Sequence, residues 1–229
     1  MFFGIWDLIL IPAVLVSLYA SQKVNSTYKK YSQVPSKRGF TGADAARFIL
    51  NQNGLHDVPI EVTGGHLSDH YDPRSRVVRL SQDVYYGSSL ASLGVAAHEV
   101  GHAVQHDCGY LPLYVRNTVI PITQFGSTAA IPLFFLGIVV SSESLIGLGI
   151  ILFSTIVFFQ LITLPVEFNA SSRALATLGG EGFLDAEELK GTSKVLKAAA
   201  MTYVAAALMS VMELLRLLLM SGILGGNDD

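Results

Sequence analysis

His98 and His102 stand four residues apart in the run His98-Glu99-Val100-Gly101-His102. On a helix, that spacing places both rings on one face about one turn apart, so each can turn a nitrogen towards a single ion. Two neutral imidazoles so arranged are a zinc chelate. A neighbouring carboxylate that does not itself bind the metal can take a proton from zinc-bound water, a role that falls to Glu99. This H-E-x-x-H pattern specifies a candidate site, and its surroundings must form the helix it needs.

They do. Leu90, Leu93, Ala97 and Val104 recur at helical spacing, Ser88 or Ser89 is positioned to cap the start, and Gly109 with Pro112 closes the end. The flanks Gly94-Val95-Ala96-Ala97 and Ala103-Val104 are small or apolar, which suits an interior helix better than a surface one. Unpaired imidazole and carboxylate in such a setting would be destabilising, so they call for partners.

The third ligand is not settled by spacing. His106 continues the series from His102, but a rise of ~1.5 Å per residue separates it from His98 by about 12 Å, too far for one ion to gather all three. His56, His66 and His70 could reach only if the segment before the motif folds back over it.

Composition sets the wider frame. Of 229 residues, 51% are hydrophobic and only 14% charged, which describes a membrane protein rather than an ordinary soluble domain. The formal net charge of -3 excludes a broad basic surface, and with it nucleic acid as a partner. The single cysteine, Cys108, forms no internal disulfide and reads as a lone thiol at a helix end.

Along the chain, residues 2–20 form an apolar run long enough to cross a bilayer core of about 30 Å. It reads as an uncleaved anchor, because the first basic residue is Lys23. Residues 21–40 follow as a polar, basic linker. Thr41 and Asp44 form a capping-box-like start to a short amphipathic helix that closes at Gly54. Residues 58–62 and 76–80 read as strands, with a polar loop between them that carries His66, Asp69, His70, Tyr71 and Asp72. Residues 118–140 and 145–164 form a transmembrane helical hairpin, in which Pro121 and Pro132 are tolerated as membrane helices tolerate proline. Residues 198–220 are a further apolar run, interrupted by Glu213 and Arg216, which can pair at i,i+3.

The expected fold is therefore mainly α: a multi-pass helical membrane protein of three to four spans with a small α+β zincin-like catalytic domain. The expected divisions are an anchor at 1–20, the catalytic domain at 21–117, the hairpin at 118–164, a third-ligand helix and polar segment at 165–197, and a fourth span with tail at 198–229. Of the fifteen basic residues only Arg216 falls in an apolar run, so the other fourteen lie in 21–117 and 165–197. The hairpin returns those two segments to one side. By the positive-inside rule that side is the cytoplasm, and His98, Glu99 and His102 share it with Glu167.

The runs Asp69-His70-Tyr71-Asp72-Pro73, Leu80-Ser81, Ala96 to Gln105 through the motif, and Glu167-Phe168-Asn169-Ala170-Ser171 resemble the YugP-type neutral zinc metallopeptidases of bacterial membranes. The resemblance covers nearly the whole chain. It implies a gluzincin-like endopeptidase of the bacterial plasma membrane, with one zinc ion on His98, His102 and Glu167 and with Glu99 as general base. A more distant likeness is to the HtpX-like and CaaX prenyl membrane endopeptidases, whose E-x-x-A-D pattern supports a zinc-bound histidine through its aspartate. Ser171 stands at that aspartate's position, so Ser171 or Asn169 is the expected support here.

The expected substrate is a peptide or membrane protein. Arg173, His66, His70 and Tyr71 are candidates for stabilising the oxyanion or holding substrate. Residues 76–80, with Val78 and Leu80, are the candidate edge strand along which an extended peptide adds. Two rival readings are weaker. An intramembrane protease would take an aspartate from an L-D-G motif, but the chain has Leu184-Asp185-Ala186 in a polar segment, and the apolar stretch around His98 is too short to span. A proteolytically inert, zinc-stabilised scaffold or chaperone-like partner would normally show four protein ligands, often cysteines.

Overall fold

Helix α1 (Ile11–Tyr31) continues from a 3-10 turn at Ile5–Leu10, and the two short interruptions of its apolar run, Asp7 and Pro12, both lie near its start. The computed structural model describes residues 4–65, 67–180 and 182–222. In chain order the further elements are α2 (Gly42–Gln52), β1 (Ile60–Thr63), β2 (His70–Asp72), β3 (Val77–Ser81), α3 (Gln82–Tyr85), α4 (Leu90–Asp107), α5 (Leu111–Val139), α6 (Glu143–Gly180) and α7 (Ala186–Met220). The protein is mainly α. Four of its helical stretches, Ile5–Tyr31, Leu111–Val139, Glu143–Gly180 and Ala186–Met220, are long and apolar enough to cross a membrane.

The chain divides into two compact units, one of residues 1–20, 114–164 and 202–229, the other of 21–113 and 165–201. In the first, α5 and the start of α6 form a hairpin around Ala130, Phe134, Ile150, Phe153 and Val157, joined by Leu217 of α7. Glycines let the hairpin close. A side chain at Gly149 would meet the Cβ of Phe134 at 2.8 Å and the carbonyl oxygen of Ala130 at 2.9 Å, the small-residue contact that membrane helices use to approach. Arg216 pairs with Asp7 at 2.5 Å and with Glu213 at 2.6 Å. The expected i,i+3 partner of Arg216 is present, and Asp7, the one charge in the N-terminal run, is satisfied by the same guanidinium.

The second unit carries the polar residues. The capping box at Thr41 forms as expected, with Asp44 accepting from the Thr41 N–H at 2.8 Å and Thr41 accepting from the Asp44 N–H at 3.1 Å. Leu50 and Ile49 of α2, Val78 and Leu80 of β3, Leu93, Ala97 and Val100 of α4, and Leu178 of α6 share one core. Ser89 caps α4 by accepting from the Ser92 N–H at 3.1 Å. The three strands run in the order β1-β3-β2, with β1 parallel to β3 and β2 antiparallel to it.

Three expectations are corrected. Residues 70–72, read as loop, form β2, because pairing with Val77 to Arg79 supplies the ladder that a short polar segment cannot advertise. Asp72 anchors the turn from β2 to β3: the Ser75 hydroxyl, the Arg74 N–H and the Arg79 guanidinium hold its carboxyl well below the usual carboxylate range. Residues 21–31, read as linker, continue α1, since nothing between Pro12 and Pro35 breaks it and Lys29 and Lys30 complement its C-terminal dipole. Pro165 does not end its helix either: α6 runs through it to Gly180 and so carries Glu167 into the second unit.

Candidate metal site

Helix α4 and the C-terminal half of α6 touch backbone to backbone. A Cβ on Gly101 would lie 2.8 Å from the Ala170 carbonyl oxygen and 3.1 Å from its Cα. Only glycine fits there. This closeness brings one turn of α6 against the face of α4 that carries the two histidines.

His98 Nε2 lies 3.2 Å from Glu167 Oε2, and His102 Nε2 lies 3.6 Å from the same oxygen. The two imidazoles meet edge to face, with centroids 4.8 Å apart. The three donor atoms lie within 4.8 Å of one another, and all three side chains are largely shielded from solvent, Glu167 at 5% exposure. Donors about 2.0–2.2 Å from one tetrahedral ion stand roughly 3.3–3.6 Å apart, so the His-Glu separations fit a zinc ion with little movement.

The surroundings of the rings explain why the nitrogens converge. Gln105 is fully buried and its amide nitrogen donates to the Val166 carbonyl at 2.8 Å and to Asn169 Oδ1 at 3.0 Å. Its amide oxygen is thereby turned to His102 Nδ1, 3.0 Å away, which must be the donor. Neutral His102 therefore carries its lone pair on Nε2, aimed at a carboxylate oxygen. Two acceptors facing each other in a buried site repel unless a cation or a proton lies between them. Burial opposes protonation of His102, yet the carboxylates of Glu167 and Glu99 carry its pKa above the ordinary value. The cluster draws positive charge to its centre. Two imidazoles and one carboxylate are also a zinc donor set in type.

The sequence candidates fall into distinct groups. Glu99, half-buried, stands outside the three-donor cluster and accepts from the Tyr71 backbone N–H at 3.1 Å. Ser171 Oγ lies 3.1 Å from His98 Nδ1, and Asn169 reaches His102 through Gln105. Arg173 does not face the donors: its Nε donates to Asn169 Oδ1 at 2.8 Å and one Nη contacts Cys108 Sγ at 3.8 Å. The Tyr71 phenol bonds to His106 Nδ1 at 2.8 Å, so side chain and main chain of Tyr71 serve different partners, and His106 lies outside the cluster. His70 is exposed and bonds to the Ser68 carbonyl at 2.8 Å. His66 lies outside the described residues.

The edge-strand expectation fails. Strand β3 is the central strand, with β1 on one side and β2 on the other, and Val78 and Leu80 are fully buried. No peptide can add to it. The edge strand whose main chain reaches the motif is β2, through Tyr71. Gln105 is the residue of the site that His and Glu spacing does not reveal. Its one sequence signal is a glutamine three residues after His102, on the same helix face.

Among the described residues the chain thus has four helical stretches long and apolar enough to cross a membrane and a His-His-Glu cluster that could hold a metal ion. Residues 6–222 match the family model described as "Putative neutral zinc metallopeptidase", and the chain belongs to that family. It is 54% identical over 219 residues, 96% of each chain, to the Bacillus subtilis (strain 168) protein named "Putative membrane protease YugP". No solved structure matches.

Proposed function

We propose that this chain is an integral membrane zinc endopeptidase that hydrolyses peptide bonds in peptide or membrane-protein substrates. The observation that carries the reading is the convergence of His98 Nε2, His102 Nε2 and a Glu167 oxygen, with the Glu99 carboxylate beside them and not among them. His98, His102 and Glu167 would hold one zinc ion in a gluzincin-type arrangement. Zinc bound there supplies Lewis acidity at the scissile carbonyl and lowers the pKa of the attacking water towards about 7.

Glu99 acts as the general base and then the general acid. It takes one proton as the water oxygen bonds to the carbonyl carbon, and returns it to the amine nitrogen as the C–N bond breaks. The hydrogen bond from the Tyr71 N–H fixes one Glu99 oxygen and leaves the other for that proton. Ser171 and the Gln105–Asn169 pair orient the two rings from behind, as outer hydrogen bonds do for metal-bound histidines. Main-chain groups on the outer edge of β2, rather than β3, receive the extended substrate.

The second unit faces the cytoplasm from a bacterial plasma membrane, on the argument of the basic residues. An inert zinc-stabilised scaffold is disfavoured by the donor count: among the described residues the cluster has three members, one fewer than structural zinc normally takes. Peptide hydrolysis by the detergent-solubilised full chain tests the proposal. Activity should vanish on chelation and return with zinc; hydrolysis that persists in the metal-free protein overturns it.

A further inference from the structure

Four lysines from two helices line one cavity of about 500 Å³ in the second unit. Lys23 and Lys30, with Thr27 between them, lie on one face of α1 at i, i+4 and i+7. Lys194, Lys197 and Met201 repeat nearly the same spacing on α7. Tyr31 and Met201 give the cavity apolar wall, and the Lys30 ammonium also lies 5.5 Å from the centre of the Tyr31 ring.

Among the described residues these charges meet no carboxylate. Three other basic side chains of the unit meet carboxylates: Lys37 meets Asp185, Arg76 meets Asp57, and Arg79 meets Glu61 and Asp72. Among the described residues none of the four cavity lysines has an acidic partner within 4.0 Å. Four ammonium groups around one hollow repel each other, and an anion between them would reverse the sign of that interaction.

The position along each helix indicates which anion. Lys23 follows closely on Ala20, where the apolar run of α1 ends, and Lys197 directly precedes Ala198, where the apolar run of α7 begins. Lys23 and Lys197 thus border the apolar runs of two candidate membrane-crossing helices, the level of lipid phosphates, with Lys30 and Lys194 further out on the polar side. The geometry points to a site for the headgroup of an anionic phospholipid, its phosphate among the lysines. The opposite face of the same α7 turns packs on the motif helix: a Cβ on Gly94 would meet Thr192 at 2.8 Å, and Val195 and Leu196 share the core with Leu93. Lipid bound here therefore braces the segment on which α4 rests.

The test compares charge removed inside the cavity with charge removed beside it. The purified full chain is reconstituted in phosphatidylcholine nanodiscs with spin-labelled phosphatidylglycerol, and the immobilised fraction is measured. The parent should retain phosphatidylglycerol over phosphatidylcholine. K30Q/K194Q and, independently, K23Q/K197Q should lower that retention about tenfold or more, each lysine near the surface contributing severalfold. K30R/K194R should keep it. K29Q/K190Q removes the same charge from exposed positions of the same helices outside the cavity and should leave retention unchanged. Equal losses in the cavity and control variants would mean diffuse surface attraction and overturn the proposal, as would no loss in either. Displacement of the lipid by inorganic phosphate at comparable affinity would assign the cavity to free phosphate and overturn it as well.

Discussion

Gln105 and His102 are held in one hydrogen-bonding sense. The Val166 carbonyl accepts from the Gln105 amide nitrogen, so the amide oxygen can only face His102 Nδ1. Arg173, a donor at every nitrogen, fixes Asn169 Oδ1 as an acceptor and closes the chain from the far side. The ring state that leaves the His102 lone pair on Nε2 is thus set by residues outside the three-donor cluster.

Gln105→Leu should therefore weaken zinc binding by about 10–100-fold, the usual effect of losing an outer partner of a metal-bound histidine. Nitrogen-15 NMR of the metal-free protein, at a pH that leaves the ring neutral, checks the cause: the parent should show His102 protonated on Nδ1 alone, and the variant a mixture of the two tautomers. Unchanged ring signals and zinc affinity would remove Gln105 from this role.

Gly101→Ala should disturb the site without altering any polar group. The added methyl meets Ala170 backbone and forces α4 and α6 apart, a strain of about 1–3 kcal/mol for overpacking a close contact. A lower melting temperature together with weaker zinc binding is expected. A melting temperature and zinc affinity equal to the parent's would show that the helices are not held together at this contact.

Much of this site was legible from residue types and spacing. The His98–His102 pair, the Ser89 cap of α4 and the Thr41–Asp44 box depend on neighbours within four residues, and local rules reach that far. The order of the strands did not follow. Residues 76–80 alternate no differently in a central strand than at an edge, and β2 exists only because β3 lies beside it. The continuation of α6 through Pro165 was equally hidden, since proline removes one main-chain donor but long membrane helices accommodate it. Arg173 is one of four residues that residue type alone offers as an oxyanion or substrate partner. Its direction, towards Asn169, is a tertiary fact.

The proposed topology rests on the distribution of basic residues and is open to labelling. In a chain with Cys108 replaced by serine, Glu143→Cys, exposed at the start of α6, should react with an impermeant thiol reagent added to intact cells. Gln52→Cys, exposed at the end of α2, should react only after lysis. The opposite pattern would put the metal cluster outside the cell.

The assignment of a base separate from the ligands is tested most directly by measuring zinc content and peptide hydrolysis on the same preparations of Glu99→Gln and Glu167→Ala. Glu99→Gln should retain zinc as the parent does and lose at least ~10²–10⁴ in turnover. Glu167→Ala should lose zinc, and hydrolysis with it, while inserting normally into the membrane. Turnover near the parent's in zinc-loaded Glu99→Gln, or full zinc occupancy in Glu167→Ala, would contradict the account.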